Sequence, residues 1–98
     1  MIQSFADATT ADLFHGANTK AARAIDKTVW AIVRRKLDMV NAAAAVRDLR
    51  VPPGNQLEAL QGDRAGRFSI RVNQQYRITF RFEAGHAFEV RCGDYTEY

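Results

Sequence analysis

The amino-acid sequence predicts an α+β domain, with N-terminal helices packed on one face of a small antiparallel β-sheet. Apolar residues recur at helical spacing before Pro52-Pro53, and from about residue 67 they alternate one by one with polar residues. Helices first and strands afterwards is the order of an α+β arrangement. The length of 98 residues allows one domain with one modest core, residues 1–98.

Ile2-Gln3-Ser4-Phe5 is expected to form a short first strand. Asp7, or Thr9-Thr10, then caps a helix through Asp12, Leu13 and Phe14 toward a stop at Gly16. Ala17 to Arg23 is open between loop and helix. Asp26 suits the N-cap of the strongest helix, from about Lys27 to Ala44. There Val29, Ile32, Val33, Leu37 and Val40 share a face that Trp30 and Met39 widen. The run Ala42 to Val46 either extends that helix or starts a short one ending near Leu49.

Pro52-Pro53 followed by Gly54-Asn55 stops any helix. Leu57 and Leu60 suggest a short strand or extended segment, and Gly62 to Gly66 a turn. Phe68, Ile70 and Val72 then alternate with Arg67, Ser69, Arg71 and Asn73. After a turn at Asn73-Gln74-Gln75, Tyr76, Ile78, Phe80 and Phe82 alternate with Arg77, Thr79 and Arg81. Glu83 to His86 turns the chain again, and Phe88, Val90 and Cys92 alternate with Glu89 and Arg91. The expected unit is a three-stranded antiparallel meander.

With 47% hydrophobic and 26% charged residues, the composition is that of an ordinary globular chain rather than a disordered one. No apolar run approaches the roughly 20 residues of a membrane span. The N-terminus lacks the basic and apolar segments of a secretory leader, so a cytoplasmic protein with no membrane partner is expected. Cys92 is the single cysteine, which excludes an intrachain disulfide and reads as a packed thiol. His15 reads as a favourable charge at a helix C-terminus, and His86 as a polar turn residue. Two histidines are too few for a histidine-rich metal site, and Gly62 to Gly66 lacks the spacing and lysine of a phosphate loop. No metal and no cofactor are expected.

The net charge is +3, and arginine strongly outnumbers lysine, which favours planar recognition of phosphate oxygens. Period two also sorts the side chains. If the apolar set from Phe68 to Val90, Phe88 included, faces the helices, then Arg67, Arg71, Arg77, Arg81 and Arg91 share the opposite face. No acid lies between Asp63 and Glu83. Such a face suits a polyanion, for example single-stranded RNA laid across a sheet. The alternatives are a merely solvated sheet face and, after it, a surface for an acidic protein.

The segment from Leu49 through Pro52-Pro53-Gly54-Asn55 and Gly62-Asp63 to Gly66, and its continuation from Ser69 to Phe80, resembles the HigB branch of the RelE/ParE toxin superfamily. These toxins are also called plasmid-maintenance killer proteins. Met1-Ile2-x-Ser4-Phe5, Arg35 to Met39 and Asn41-Ala42-Ala43 fit the same branch, so the resemblance spans nearly the whole chain. It implies a RelE-like fold and metal-free cleavage of messenger RNA on the ribosome. It also implies a cognate HigA-like antitoxin carrying a helix-turn-helix domain, with operator DNA bound only through the toxin–antitoxin complex.

A metal-free ribonuclease uses the 2′-hydroxyl as nucleophile and must take its proton and stabilise a crowded phosphate. Arg77 matches the arginine after the family's aromatic residue and is the first candidate for the scissile phosphate, with Arg71 beside it on geometry. Arg67, Arg81 and Arg91 extend the candidate RNA track. The family's C-terminal aspartate-tyrosine-histidine reads here Asp94-Tyr95-Thr96. Asp94 and Tyr95 carry over as candidates for proton transfer and base stacking; Thr96 does not. Glu58 stands where a relative places a histidine, and offers a compensating carboxylate. The competing functions are a non-cleaving inhibitor, acting by binding the ribosome or gyrase, and a degenerate toxin retained as co-repressor.

Overall fold

The computed structural model describes residues 1–94. The helices come first. Asp7 accepts a hydrogen bond from the Thr10 N–H at 2.8 Å and opens α1 (Ala8–Phe14), which ends at Gly16 with φ 75°. The ambiguous stretch from Ala17 turns into a 3₁₀ turn over Ala22–Ala24. Asp26 caps as expected, but its carboxylate takes the Thr28 N–H and hydroxyl, only two residues on. That short reach tightens Lys27–Val29 into a 3₁₀ turn, and α2 proper runs Trp30–Ala42.

The alanine run does not lengthen α2. The Asp48 carboxylate accepts from the Ala44 and Ala45 N–H groups, both at 3.0 Å, and diverts the chain into a separate 3₁₀ turn, Val46–Arg50. Trp30, Val33, Leu37 and Val40 form the buried stripe of α2. Arg34 Nε donates to the Leu13 carbonyl at 3.0 Å and ties α2 to the end of α1.

The sheet contains β1 (Glu58–Ala59), β2 (Arg67–Arg71), β3 (Tyr76–Glu83) and β4 (His86–Asp94), paired antiparallel in the order β1-β2-β3-β4. The expected meander is thus its body, and the Leu57 to Leu60 segment adds a two-residue strand beside β2. Asn73 Oδ1 accepts the Gln75 and Tyr76 N–H groups and folds the β2–β3 turn. Ala84 and Gly85, both at positive φ, make the two-residue β3–β4 turn, whose backbone twist suits a hairpin. His86 therefore begins β4 instead of lying within the turn.

Ile2 to Phe5 is extended, as expected, but it meets the sheet through single parallel bridges, Ile2 to Ala87 and Phe5 to Val90. It covers the outer edge of β4, which would otherwise present unpaired backbone groups.

Ile70, Ile78, Phe80, Val90 and Cys92 are buried with Leu13 and the α2 stripe; Phe68, Val72 and Phe82 pack half-buried against them. One inward assignment fails. Thr79 pairs with Arg91, yet Arg81 pairs with Phe88, so β4 carries one residue more than β3 in that stretch. Glu89, at φ 53°, absorbs the extra residue as a bulge. The alternation slips there: Ala87 becomes the buried residue, and Phe88 turns onto the arginine face, outside the core.

Candidate nucleic-acid interface

Residues paired across an antiparallel sheet project to the same side. The register therefore puts Arg67, Arg71, Arg77, Arg81 and Arg91 on one face, away from the helices. It also puts them opposite one another: Arg67 faces Arg81, and Arg71 faces Arg77. Directly opposed like charges are destabilising unless something neutralises them. The two pairs are treated differently.

At the Arg67–Arg81 pair the Glu89 carboxylate lies between the guanidinium groups. It bonds Arg67 Nη2 closely and stands 3.8 Å from Arg81 Nη2, while Glu83 takes Arg81 Nη1 at 2.9 Å. The Arg67 hydrogen bond, with the Arg67 charge behind it, holds the Glu89 carboxyl below the usual carboxylate range. Arg81 also lays its guanidinium over the Phe88 ring, Cζ to centroid 4.6 Å. Arg91 leans to the edge of the sheet, its Nε 3.6 Å from Asp7. The acids missing from the sequence between Asp63 and Glu83 are thus supplied by neighbouring elements, and the face is much less positive than the strand pattern predicts.

Arg77 differs more. It was expected to project from an open face, yet it is only 3% exposed, because the chain entering β1 folds over it. Its Nε donates to Ser69 Oγ at 3.0 Å and its Nη2 to the Gln56 carbonyl at 2.8 Å, with Glu58 Oε2 3.4 Å away. Gln56 presents that carbonyl from a left-handed backbone, φ 44°. The turn is anchored by Asn55, fully buried, whose amide donates to the carbonyls of Leu49 and Val51 while its oxygen accepts from Lys36. Burial, with the nearby Arg35 charge, pulls the Lys36 ammonium below its ordinary value.

Across from this fixed group, Arg71 donates through Nε to the Asn73 carbonyl at 3.2 Å and has no carboxylate partner among the described residues. One opposed arginine pair is therefore bridged by an internal carboxylate. The other has Glu58 beside it, which is 58% exposed, and pairs an arginine without a carboxylate among the described residues with a buried guanidinium. That arrangement can accept an anion with planar oxygens, and it sets a carboxylate next to it.

The structure brings Arg77, Arg71 and Glu58 together. It does not bring Asp94 to them. Asp94 pairs with Tyr76, so its register position lies on the core side, at a polar cleft of about 310 Å³ lined also by Asp7, Gln75, Arg91 and Cys92. Gln75 Nε2 donates to Asp94 Oδ2 at 3.2 Å. Tyr95 and Thr96 lie outside the described residues. Cys92 is buried as expected, and burial, with the Asp7 carboxylate second, pushes its thiol up to about 12. Ser69 and Asn55 went unassigned in the sequence: Ser69 breaks the arginine alternation of β2, and Asn55 follows Pro-Gly, but neither pattern names a partner. Among the described residues no group of three or more His, Cys, Asp or Glu is placed to hold a metal ion, and no helix is long and apolar enough to cross a membrane.

Residues 3–95 match the family described as RelE-like toxin of type II toxin-antitoxin system HigB. Toxin HigB-1 of Vibrio cholerae serotype O1 is 46% identical over 68 residues, 69% of this chain and 72% of that protein. An uncharacterized protein of Haemophilus influenzae is 42% identical over 59 residues, 60% of this chain and 58% of the relative. Two solved structures share the fold at low identity. The YoeB-YefM complex from Staphylococcus aureus has TM-score 0.60 and 12% identity, over 95% of both chains. The YoeB/ParE toxin from Agrobacterium tumefaciens has TM-score 0.54 and 15% identity, over 95% of this chain and 98% of that one. With a family match running almost from end to end, this chain belongs to the HigB-like family, the RelE-like toxins of type II toxin–antitoxin systems.

Proposed function

We propose that the protein is a ribosome-dependent messenger RNA endonuclease, cleaving without a metal by attack of the 2′-hydroxyl on the adjacent phosphate. The observation that carries this reading is the Arg71–Arg77 pair, one member fixed and buried, the other lacking an acid, with Glu58 alongside. Arg77 and Arg71 hold the scissile phosphate and stabilise the charge that grows on it. Arginine does not titrate, so both act electrostatically. Glu58 shares their side of the sheet and takes the 2′-hydroxyl proton. The freed 2′-oxygen bonds to phosphorus and the bond to the 5′-oxygen breaks as that oxygen takes up a proton, from the protonated Glu58 or from water, leaving a 2′,3′-cyclic phosphate and a 5′-hydroxyl end. Asp94 and Tyr95 remain family-based candidates for proton delivery and base stacking.

A cognate antitoxin of the HigA-like, helix-turn-helix kind is the proposed protein partner, with operator DNA reached only through that complex. Support comes from the family description and from the Staphylococcus aureus neighbour, a complex of YoeB with YefM.

The test is induction of the protein without antitoxin, followed by mapping of cellular messenger RNA 5′ ends. New cleavage ends inside translated frames are expected, and Arg77→Ala is expected to remove them while its circular dichroism stays native. Growth arrest with intact messages would replace this reading with a non-cleaving inhibitor, and absence of arrest with a degenerate toxin.

A further inference from the structure

We infer that Phe88, with the Arg81 guanidinium stacked on it, is a platform for an unpaired RNA base flanking the cleaved bond. The inference rests on the RNA reading above, but its observations are its own. Strand alternation assigns Phe88 to the core, and a core for it exists: Ala87, Val90 and Phe80 beside it are fully buried. The chain instead inserts one residue at Glu89 and turns the phenylalanine out.

That turn has a cost. Glu89 sits at φ 53°, where a side chain other than glycine is disfavoured. A strained backbone that leaves a large apolar ring half-buried on the arginine face, while a small alanine occupies the inward position, forgoes burial of that ring in the core. Strain of this kind points to a ligand.

The surroundings say which one. Arg81 lies over one face of the ring at 4.6 Å, and Glu89 and Glu83 hold the guanidinium in that attitude. The resulting surface joins an aromatic ring to a flat guanidinium whose charge is already matched by carboxylates, which suits a nucleobase: every base offers a π-face that stacks on such planes. An acidic peptide would engage the arginines but would gain little from a flat ring. The placement also fits. Arg81 follows Arg77 by four residues on β3, or about 13 Å of strand, a step or two of extended single strand from the bound phosphate.

The test uses the intact protein and a 2′-O-methylated single-stranded RNA heptamer, which cannot be cleaved, with an abasic site moved through each position. Fluorescence anisotropy reads the affinity. In the wild type, one abasic position is expected to weaken binding about tenfold. In Phe88→Ala the intact RNA should bind about tenfold more weakly and that abasic penalty should vanish, while Phe88→Trp should restore both. Phe88 lies outside the core, so Phe88→Ala should keep the wild-type melting temperature. Equal affinity of Phe88→Ala and wild type, or an unchanged abasic profile, would overturn the platform. So would a Phe88→Ala defect confined to antitoxin binding. Loss of the platform with messenger RNA cleavage intact leaves the endonuclease reading standing. A vanishing abasic penalty in a protein that cleaves no messenger RNA leaves the platform standing and removes the endonuclease.

Discussion

An arginine that has lost nearly all its water needs acceptors for its N–H donors, and Ser69, Gln56 and Glu58 are among those of Arg77. Alternation along β3 is enough to read its side of the sheet from sequence. Its burial is not legible there, because the cover comes from a left-handed turn 21 residues earlier in the chain. The same anchoring makes a conservative exchange harmful. Lysine offers one compact ammonium and cannot bond Ser69 and Gln56 together while holding a phosphate. Arg77→Lys is expected to lower cleavage by about 10²-fold or more and to lower the melting temperature; wild-type cleavage with the lysine would remove Arg77 from the chemistry. Cys92 tests burial at the same scale. With its thiol pushed up to about 12, roughly one in ten thousand is ionised at pH 8, and only the thiolate reacts. Native protein should resist iodoacetamide for hours and be labelled within minutes in denaturant; fast native labelling would contradict the packing of β4 against α1.

At the scale of elements, the most legible features were those written by a repeating period. The α2 stripe and the β2–β3 alternation lie where helical and two-residue periods place them. Features made by one side chain or one inserted residue were less legible. The Asp48 carboxylate that ends the alanine helix, the short reach of Asp26, and the β4 bulge all depend on contacts that no period encodes. The bulge also decides the charge of the sheet face, since it sets Glu89 between Arg67 and Arg81. This gives β4 a pH signature. Glu89 titrates below its ordinary value when folded, so its contribution is fully present above the ordinary range of ~4.3 and is lost as pH falls through the folded value. Glu89→Gln removes that contribution. The gap between wild type and Glu89→Gln in urea midpoint should be widest near neutral pH and should close as pH falls through the folded-state value of Glu89. A gap that is constant with pH would mean that the ion pair contributes nothing.

For the whole molecule, the helices take one face of the sheet and leave the other to charge, so changes to outward arginines need not disturb the core. The net charge of +3 is too small to attract RNA at long range by itself, and what counts is how many arginines on the open face lack an internal acid. Arg71 has none among the described residues and Arg77 faces the exposed Glu58, whereas Arg67 already answers to Glu89 and Arg81 to Glu83 and Glu89. Each phosphate neutralised on a single strand contributes about −0.7 to the slope of log affinity against log salt, so two give about −1.4. Releasing Arg67 from Glu89 should steepen it, while Arg81 keeps Glu83. Glu89→Gln is therefore expected to bind uncleavable single-stranded RNA more tightly at low salt, with a slope moving toward about −2.1. Arg71→Ala should flatten the slope by about 0.7. Anisotropy titrations between low and physiological salt measure both. Identical slopes in all three proteins would mean that the strand does not cross this face, because its phosphates would then be neutralised by groups these substitutions never touch.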